Sequence, residues 1–159
     1  MKPIPIKHMD GSETFTIKGK SAGFNLLEFW SWAMSDIYSN TTRGIIAEFL
    51  VAKALGLDTN NPRDVWAKHD LKYQGEGIEV KSTAYHQSWE QDKISHISFA
   101  VTKTHGYEDG PNEKPKRHAQ IYVLCLLSEM DRDRVNPLDV DQWRFWIVPT
   151  LFFDQRERS

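Results

Sequence analysis

The chain has 159 residues, of which 40% are hydrophobic and 26% are charged, and its formal net charge is -2 at pH 7. This length suffices for one domain with a hydrophobic core, and the composition is that of a globular protein, which excludes disorder as the default. The near-neutral charge argues against a histone-like nucleic-acid coat protein, although acidic residues at an enzyme site would also subtract local charge.

Three features predict a soluble protein of the cytoplasm. The single cysteine, Cys125, lies in the apolar run IYVLCLL and cannot form an internal disulfide, which suits a reducing compartment. The segment MKPIPIKHMD has no apolar stretch after its first lysine, as a signal peptide would have. No apolar run approaches the roughly 20 residues that cross a bilayer, so we expect no membrane association.

The first half of the chain predicts a strand and two helices. We expect one domain over residues 1–159, with residues 1–23 as an N-terminal extension whose segment ETFTIKG forms an edge strand. In FNLLEFWSWAMSDIY, apolar residues recur at a spacing of three and four, which is typical of a helix. NTTRGIIAEFLVAKALG predicts a second helix, capped at its start by Thr41 or Thr42 and followed by Gly56 as the left-handed C′ residue.

In the second half of the chain, apolar residues recur with a period of two. VWAKHDLKY, starting at Val65, and GIEVKST predict paired strands around a turn at residues 74–77, and ISFAVT predicts a third strand. Glycine and proline mark a long loop over residues 103–117. AQIYVLCLLS predicts a strand covered on both faces, and QWRFWIVPT a fifth strand that ends at Pro149.

This order of elements predicts an α/β or α+β fold with a mixed central sheet of about five strands flanked by helices. Little sequence follows the last predicted strand. We therefore expect either a minimal protein, a sheet edge covered by a partner, or a missing C-terminal element, and the sequence does not choose among them.

Glu48 has an unusual position on the second helix. At 100° per residue it falls in the middle of a stripe of apolar side chains, where burying a carboxylate is costly without a cation or several donors. One interpretation is a structural pair with Arg43 or a backbone amide. The other is a site that contains a cation.

The predicted hairpin brings further charged groups together. Glu79 and Lys81 point to one face of their strand, and a turn near residues 74–76 places Asp70 opposite Glu79 and Val80. Two acids at that distance repel each other unless a cation lies between them, and Mg²⁺ binds one or two carboxylates while keeping several waters. The alternative is a solvated surface strand with Glu and Lys paired at random.

At these residues the sequence resembles the PD-(D/E)XK nuclease superfamily, which has the restriction-endonuclease-like fold. The resemblance covers about residues 42–101. The positions that match its motif are Glu48, Asp70, Glu79 and Lys81. The residue before the first strand acid is His69, so the proline of the motif's name is absent.

The resemblance implies a Mg²⁺-dependent nuclease core, in which Mn²⁺ should substitute. Asp70, Glu79 and the Val80 carbonyl would be the metal ligands, and Lys81 would be the catalytic lysine. Glu48 would bind a second ion or a metal-bound water.

Five further residues are predicted to contact substrate. Arg43 opens the second helix, where a phosphate would find free amides, and Gln87 follows the E-x-K strand as a glutamine does in some nucleases of the superfamily. Tyr85 and Trp89 could stack on a base, and Lys103 lies in a basic loop. For each, the alternative is an ordinary surface or packing residue.

We therefore expect an endonuclease that hydrolyses phosphodiester bonds of DNA. The alternatives are a catalytically inactive nuclease-like module that binds nucleic acid or protein, and an acid–base enzyme acting on a small metabolite. Since many small nucleases cut two strands by pairing two protomers, a homodimer is also predicted. The four histidines His86, His96, His105 and His118 have no zinc-ligand spacing.

Overall fold

The structure is a computed structural model that describes residues 6–105, 110 and 112–156. The strands in these ranges are β1 Thr14–Ile17, β2 Lys20–Asn25, β3 Leu71–Tyr73, β4 Glu76–Ala84, β5 Ile121–Leu127 and β6 Trp143–Pro149. The helices are α1 Leu26–Met34, α2 Asn40–Ala54 and α3 Thr150–Arg156, with a 3-10 turn at Val140–Gln142. The predicted α+β class is confirmed. Within the described ranges, every helix is too short or too polar to cross a bilayer.

The central sheet has four strands in the order β3-β4-β5-β6, where β4 and β5 are parallel and the other pairs antiparallel. The sheet is mixed, as predicted, but the ISFAVT segment is not a strand. A strand needs a hydrogen-bonded neighbour, and alternating polarity alone does not supply one. Here the Val101 carbonyl accepts a hydrogen bond from Arg117 Nε at 2.7 Å instead.

The hairpin that carries the predicted site is shorter than the sequence pattern suggests. Only Leu71–Tyr73 pairs with β4, and the stretch from Val65 to Asp70 lies outside the sheet. Gln74 and Gly75 form a two-residue turn in which both have positive φ, at 51° and 94°. Such turns match the twist of the flanking strands and therefore fix the register of the pair.

Helix α2 positions the candidate site because it packs on β4. Its N-cap is Ser39, whose side chain accepts from the Thr42 amide at 3.2 Å, so the predicted cap at Thr41 or Thr42 is wrong by two or three positions. Asp36 Oδ1 accepts from the Ser39 amide at 3.1 Å, which ends the preceding turn at Ser39 and starts the helix there. Gly56 has φ 68°, as expected for the left-handed C′ residue.

The core lies between α2 and the sheet. Its buried residues include Ala47, Val51, Ile78, Val80, Ala84, Val123, Cys125, Leu127 and Trp143. Because Ile78 and Val80 face this core, the alternate residues of β4 face the other side of the sheet. Cys125 is fully buried, and burial raises the pKa of its thiol to about 12.

Helix α3 contacts the other face of the sheet. The ring of Phe153 packs edge-on against Tyr122 of β5, with centroids 5.2 Å apart. Little sequence follows the last predicted strand, and within it α3 begins directly after Pro149. The Thr150 hydroxyl donates to the Ala119 carbonyl at 2.6 Å and so attaches the start of this helix to the sheet.

The residue at the motif's missing proline has a packing role that a substitution can test. A Cβ added at Gly77 would lie 2.3 Å from Cδ2 of His69, closer than any normal contact. We predict that Gly77→Ala displaces the His69 ring and lowers the free energy of unfolding by about 1–3 kcal/mol, measured by urea denaturation. Adding His69→Ala should recover most of this loss. Wild-type stability of Gly77→Ala would contradict the packing.

Candidate active site

Asp70 lies directly against the strand that carries the E-x-K residues. Leu71 pairs with Ile78, so continuing the register by one step places Asp70 opposite Glu79. Asp70 Oδ2 accepts a hydrogen bond from the Val80 amide at 2.7 Å. The side chain therefore takes the place of a backbone partner just before β3 begins.

The Val80 carbonyl faces the same edge of β4. In an extended strand, the N–H and C=O of one residue point to the same side. Because the Val80 N–H points toward Asp70, its carbonyl oxygen also points to that side. Strand geometry thus brings two of the three predicted metal ligands to one edge, with the Glu79 side chain rising from the neighbouring position.

Glu79 and Lys81 form an ion pair on one face of β4. Lys81 Nζ lies 2.6 Å from Glu79 Oε1, and about a quarter of this pair's side-chain surface remains accessible, at 22% for Glu79 and 33% for Lys81. The predicted same-face arrangement is therefore present. The ammonium group neutralises one of the two hairpin acids.

Glu48 reaches the site from α2, and Arg63 holds it there. Its side chain is 14% exposed, in agreement with its place on the helix stripe. Arg63 Nε donates to Glu48 Oε2 at 2.8 Å and Nη2 donates to Oε1 at 3.0 Å, which is a bidentate pair. The structural alternative with Arg43 as partner is therefore wrong.

Asp70 is the acid that lacks a cation of its own. Across the described ranges, no lysine or arginine forms an ion pair with it, and the Val80 amide is its hydrogen-bond donor. Burial is the largest effect on its pKa, followed by the charge of Glu79, and together with Glu48 they raise the pKa to about 6 despite the Val80 amide and Lys81. At neutral pH the site thus carries a negative charge on Asp70 that its surroundings disfavour.

A cage of three acids around one ion is not preformed. In the part of the chain that the structure covers, no three side chains among His, Cys, Asp and Glu are arranged to hold a metal. Arg63 and Lys81 instead bind Glu48 and Glu79. The expected convergence of three acids is thereby reduced to Asp70 and Glu79.

The donors that remain still fit a hard divalent cation. Two carboxylates and a backbone carbonyl are the oxygen ligands that Mg²⁺ or Mn²⁺ accepts, with water completing the coordination. A cation between Asp70 and Glu79 would also remove the repulsion that raises the Asp70 pKa. The arrangement could therefore hold one such ion and a phosphate oxygen bound to it.

Two of the predicted substrate contacts are buried. Arg43 is 2% exposed and Gln87 9%, so both are engaged inside the protein in this conformation, and their contact with substrate stays a prediction. Arg43 donates to the Tyr38 carbonyl at 3.1 Å and to Gln87 Oε1 at 3.4 Å. Gln87 Nε2 donates to the Ala84 carbonyl at 3.2 Å, so the pair ties the start of α2 to the end of β4.

The other three substrate candidates are more accessible. Trp89 is 56% exposed and Lys103 is exposed, while Tyr85 is half-buried. The Tyr85 carbonyl accepts from the Ser95 amide at 2.8 Å, which folds the segment after β4 back on itself. Their contact with substrate stays a prediction.

Sequence reasoning missed Arg63 and Tyr122. Arg63 lies in an irregular segment without periodicity, so no pattern links it to Glu48. Tyr122 pairs with Glu79 across β4 and β5, and burial followed by the Glu79 charge raises its pKa. Its one signal was a hydroxyl in the otherwise apolar run IYVLCLL, but the parallel register is not visible in sequence.

Comparison with known proteins gives a match to a nuclease family. A family model described as bacteriophage T4 endonuclease IV matches residues 1–152, a range that includes every site residue described above. Curated proteins and solved structures gave no significant match.

The raised pKa of Asp70 predicts a specific pH dependence of stability. Because the pKa rises from 3.8 to about 6 on folding, protonated Asp70 favours the folded state, and this contribution is lost as the pH rises through 6. In EDTA, Asp70→Asn should unfold like wild type near pH 4 and be more stable by about 2–3 kcal/mol at pH 8.

Urea denaturation across this pH range measures the difference. The control is Asp133→Asn, which removes an exposed carboxyl between β5 and β6 and should not change the pH profile. If the stability of Asp70→Asn depends on pH as that of wild type does, the raised pKa assigned to Asp70 is contradicted.

Proposed function

The chain belongs to the bacteriophage T4 endonuclease IV family, and we propose that it is a divalent-metal-dependent DNA endonuclease with a PD-(D/E)XK-type site. The observation that supports this most strongly is Asp70. It is a half-buried carboxylate that has no ion-pair partner among the residues the structure describes, and it contacts the strand that presents Glu79 and Lys81. An ordinary structural role does not require that uncompensated charge.

Asp70, Glu79 and the Val80 carbonyl would hold Mg²⁺ or Mn²⁺ in this proposal. The chemistry that the bound ion supplies is neutralisation of phosphate charge and acidification of water. Glu79 would have to part from Lys81, since one carboxylate oxygen is now 2.6 Å from the ammonium group. Freed from Glu79, the Lys81 ammonium group would be available to a phosphate bound at this site.

Lys81 has two roles open to it. Its amine can orient or deprotonate the water that attacks phosphorus, or its ammonium form can stabilise charge that develops on the phosphorane oxygens. Both roles need the short reach that β4 provides, because Lys81 and Glu79 rise from the same face of this strand. Glu48 would align a second ion or a water at the α2 side.

The PD-(D/E)XK assignment rests on the placement of the four motif residues. The hairpin register puts Asp70 beside Glu79, and Glu48 is close enough to affect the Asp70 pKa. DNA is the proposed substrate because the matching family is one of endonucleases. The single domain, the homodimer and the cytoplasmic location stay predictions.

The direct test is cleavage of DNA by the purified chain. We predict that wild-type protein cuts circular DNA, single- or double-stranded, with Mg²⁺ or Mn²⁺ and not in EDTA. Lys81→Ala should lower the rate by about 10²-fold or more, since it removes acid–base or electrostatic catalysis. The matched control is Lys72→Ala, an exposed lysine on β3 of the same hairpin, which should cut at nearly the wild-type rate.

Equal rates for wild type and Lys81→Ala would contradict the mechanism. If no protein cuts any DNA or RNA substrate, but wild type binds nucleic acid, the inactive-module interpretation replaces the proposed function.

A further inference from the structure

The Arg63 guanidinium binds the Glu48 carboxylate as a metal ion would. Its guanidinium donates to both carboxylate oxygens, at 2.8 and 3.0 Å. A carboxylate engaged in this way is a poor ligand for a second cation, because the two positive charges repel each other. Glu48 can therefore assist a divalent ion or its water only after Arg63 leaves.

The segment that carries Arg63 is irregular. It connects α2 to β3 without helix or strand, and its local hydrogen bonds are made within turns, such as the Asn60 amide to Asp58 and the Trp66 amide to Asp64. The Arg63 side chain is 39% exposed, so the guanidinium lies at the boundary between the site and solvent.

The charges of the site make Arg63 surplus once a divalent ion is bound. Three carboxylates, Glu48, Asp70 and Glu79, face two cations, Arg63 and Lys81, which leaves one formal negative charge when all are ionised. A divalent cation adds two positive charges and reverses that sign. The favourable partner for a displaced guanidinium is then an anion brought by the substrate.

We propose that Arg63 is a displaceable counter-ion, which holds Glu48 in the metal-free protein and moves to a DNA phosphate when metal and DNA bind. The guanidinium fork matches carboxylate and phosphate in the same bidentate geometry, so the exchange retains both hydrogen bonds. This inference rests on the proposed function. It assigns a substrate contact outside the four motif residues and couples metal loading to DNA binding.

The first experiment is calorimetric titration of DNA-free protein with Mn²⁺. Arg63→Gln removes the competing cation and should bind Mn²⁺ about 2- to 5-fold more tightly than wild type, as expected for a partly exposed ion pair. A purely structural role would leave the affinity unchanged or lower it. The control is Lys53→Ala, an exposed lysine on α2 that lies over Phe49, which should titrate as wild type does.

The second experiment measures DNA affinity with Mn²⁺ present, in a Lys81→Arg background that keeps the charge of the site and slows cleavage. Arg63→Gln should weaken binding by about 10-fold, because one charge-assisted phosphate contact is lost. Should Arg63→Gln fail to fold, Arg63→Lys replaces it. Lysine keeps the charge without the bidentate geometry of the guanidinium. The Mn²⁺ affinity should therefore still rise and the DNA affinity still fall, each by a smaller factor.

Unchanged Mn²⁺ affinity, or unchanged DNA affinity, in a folded Arg63 variant overturns the exchange. If wild type nevertheless binds Mn²⁺ and cleaves DNA, only this inference fails and the proposed function stands. If wild type binds no Mn²⁺ and cleaves nothing, both fail.

Discussion

Burial of the Asp70 carboxylate beside the acidic side chains of Glu79 and Glu48 is the constraint on which the candidate site depends. Glu48 and Glu79 each have a cation at hydrogen-bonding distance, whereas Asp70 has the Val80 amide. An asparagine at this position could accept the same hydrogen bond without a buried charge. Retaining the carboxylate therefore costs stability in the metal-free protein, and such a cost is characteristic of positions that serve function.

The fold separates a fixed frame from a movable group. Asp70 and Glu79 are fixed by the β3–β4 hairpin, whose register follows from its two-residue turn and whose core face packs against α2. Arg63, in contrast, lies in an irregular segment at the edge of this frame. A site built in this way keeps its ligands in place while one counter-ion exchanges, which is what preorganised binding requires.

Sequence patterns predicted the parts of this fold that depend on local periodicity. The two main helices and the strands around the site follow from it, and the turn signal placed Asp70 beside Glu79. The prediction of a strand at ISFAVT was wrong because a strand needs a hydrogen-bonded partner, which periodicity cannot supply. The prediction of Arg43 as the partner of Glu48 was wrong for a related reason. Arg63, the actual partner, lies in a segment without a periodic pattern, while Arg43, which is nearer in sequence, is buried against Gln87.

A crystal soaked in Mn²⁺ would show whether this edge of β4 binds a divalent ion, because the anomalous signal locates the ion without assuming its ligands. We expect a peak roughly 2.0–2.3 Å from oxygens of Asp70, Glu79 and the Val80 carbonyl, with Lys81 moved away from Glu79. A map without a peak at this edge of β4, in which Lys81 still pairs with Glu79 and the Val80 amide still binds Asp70, would rule out the metal site.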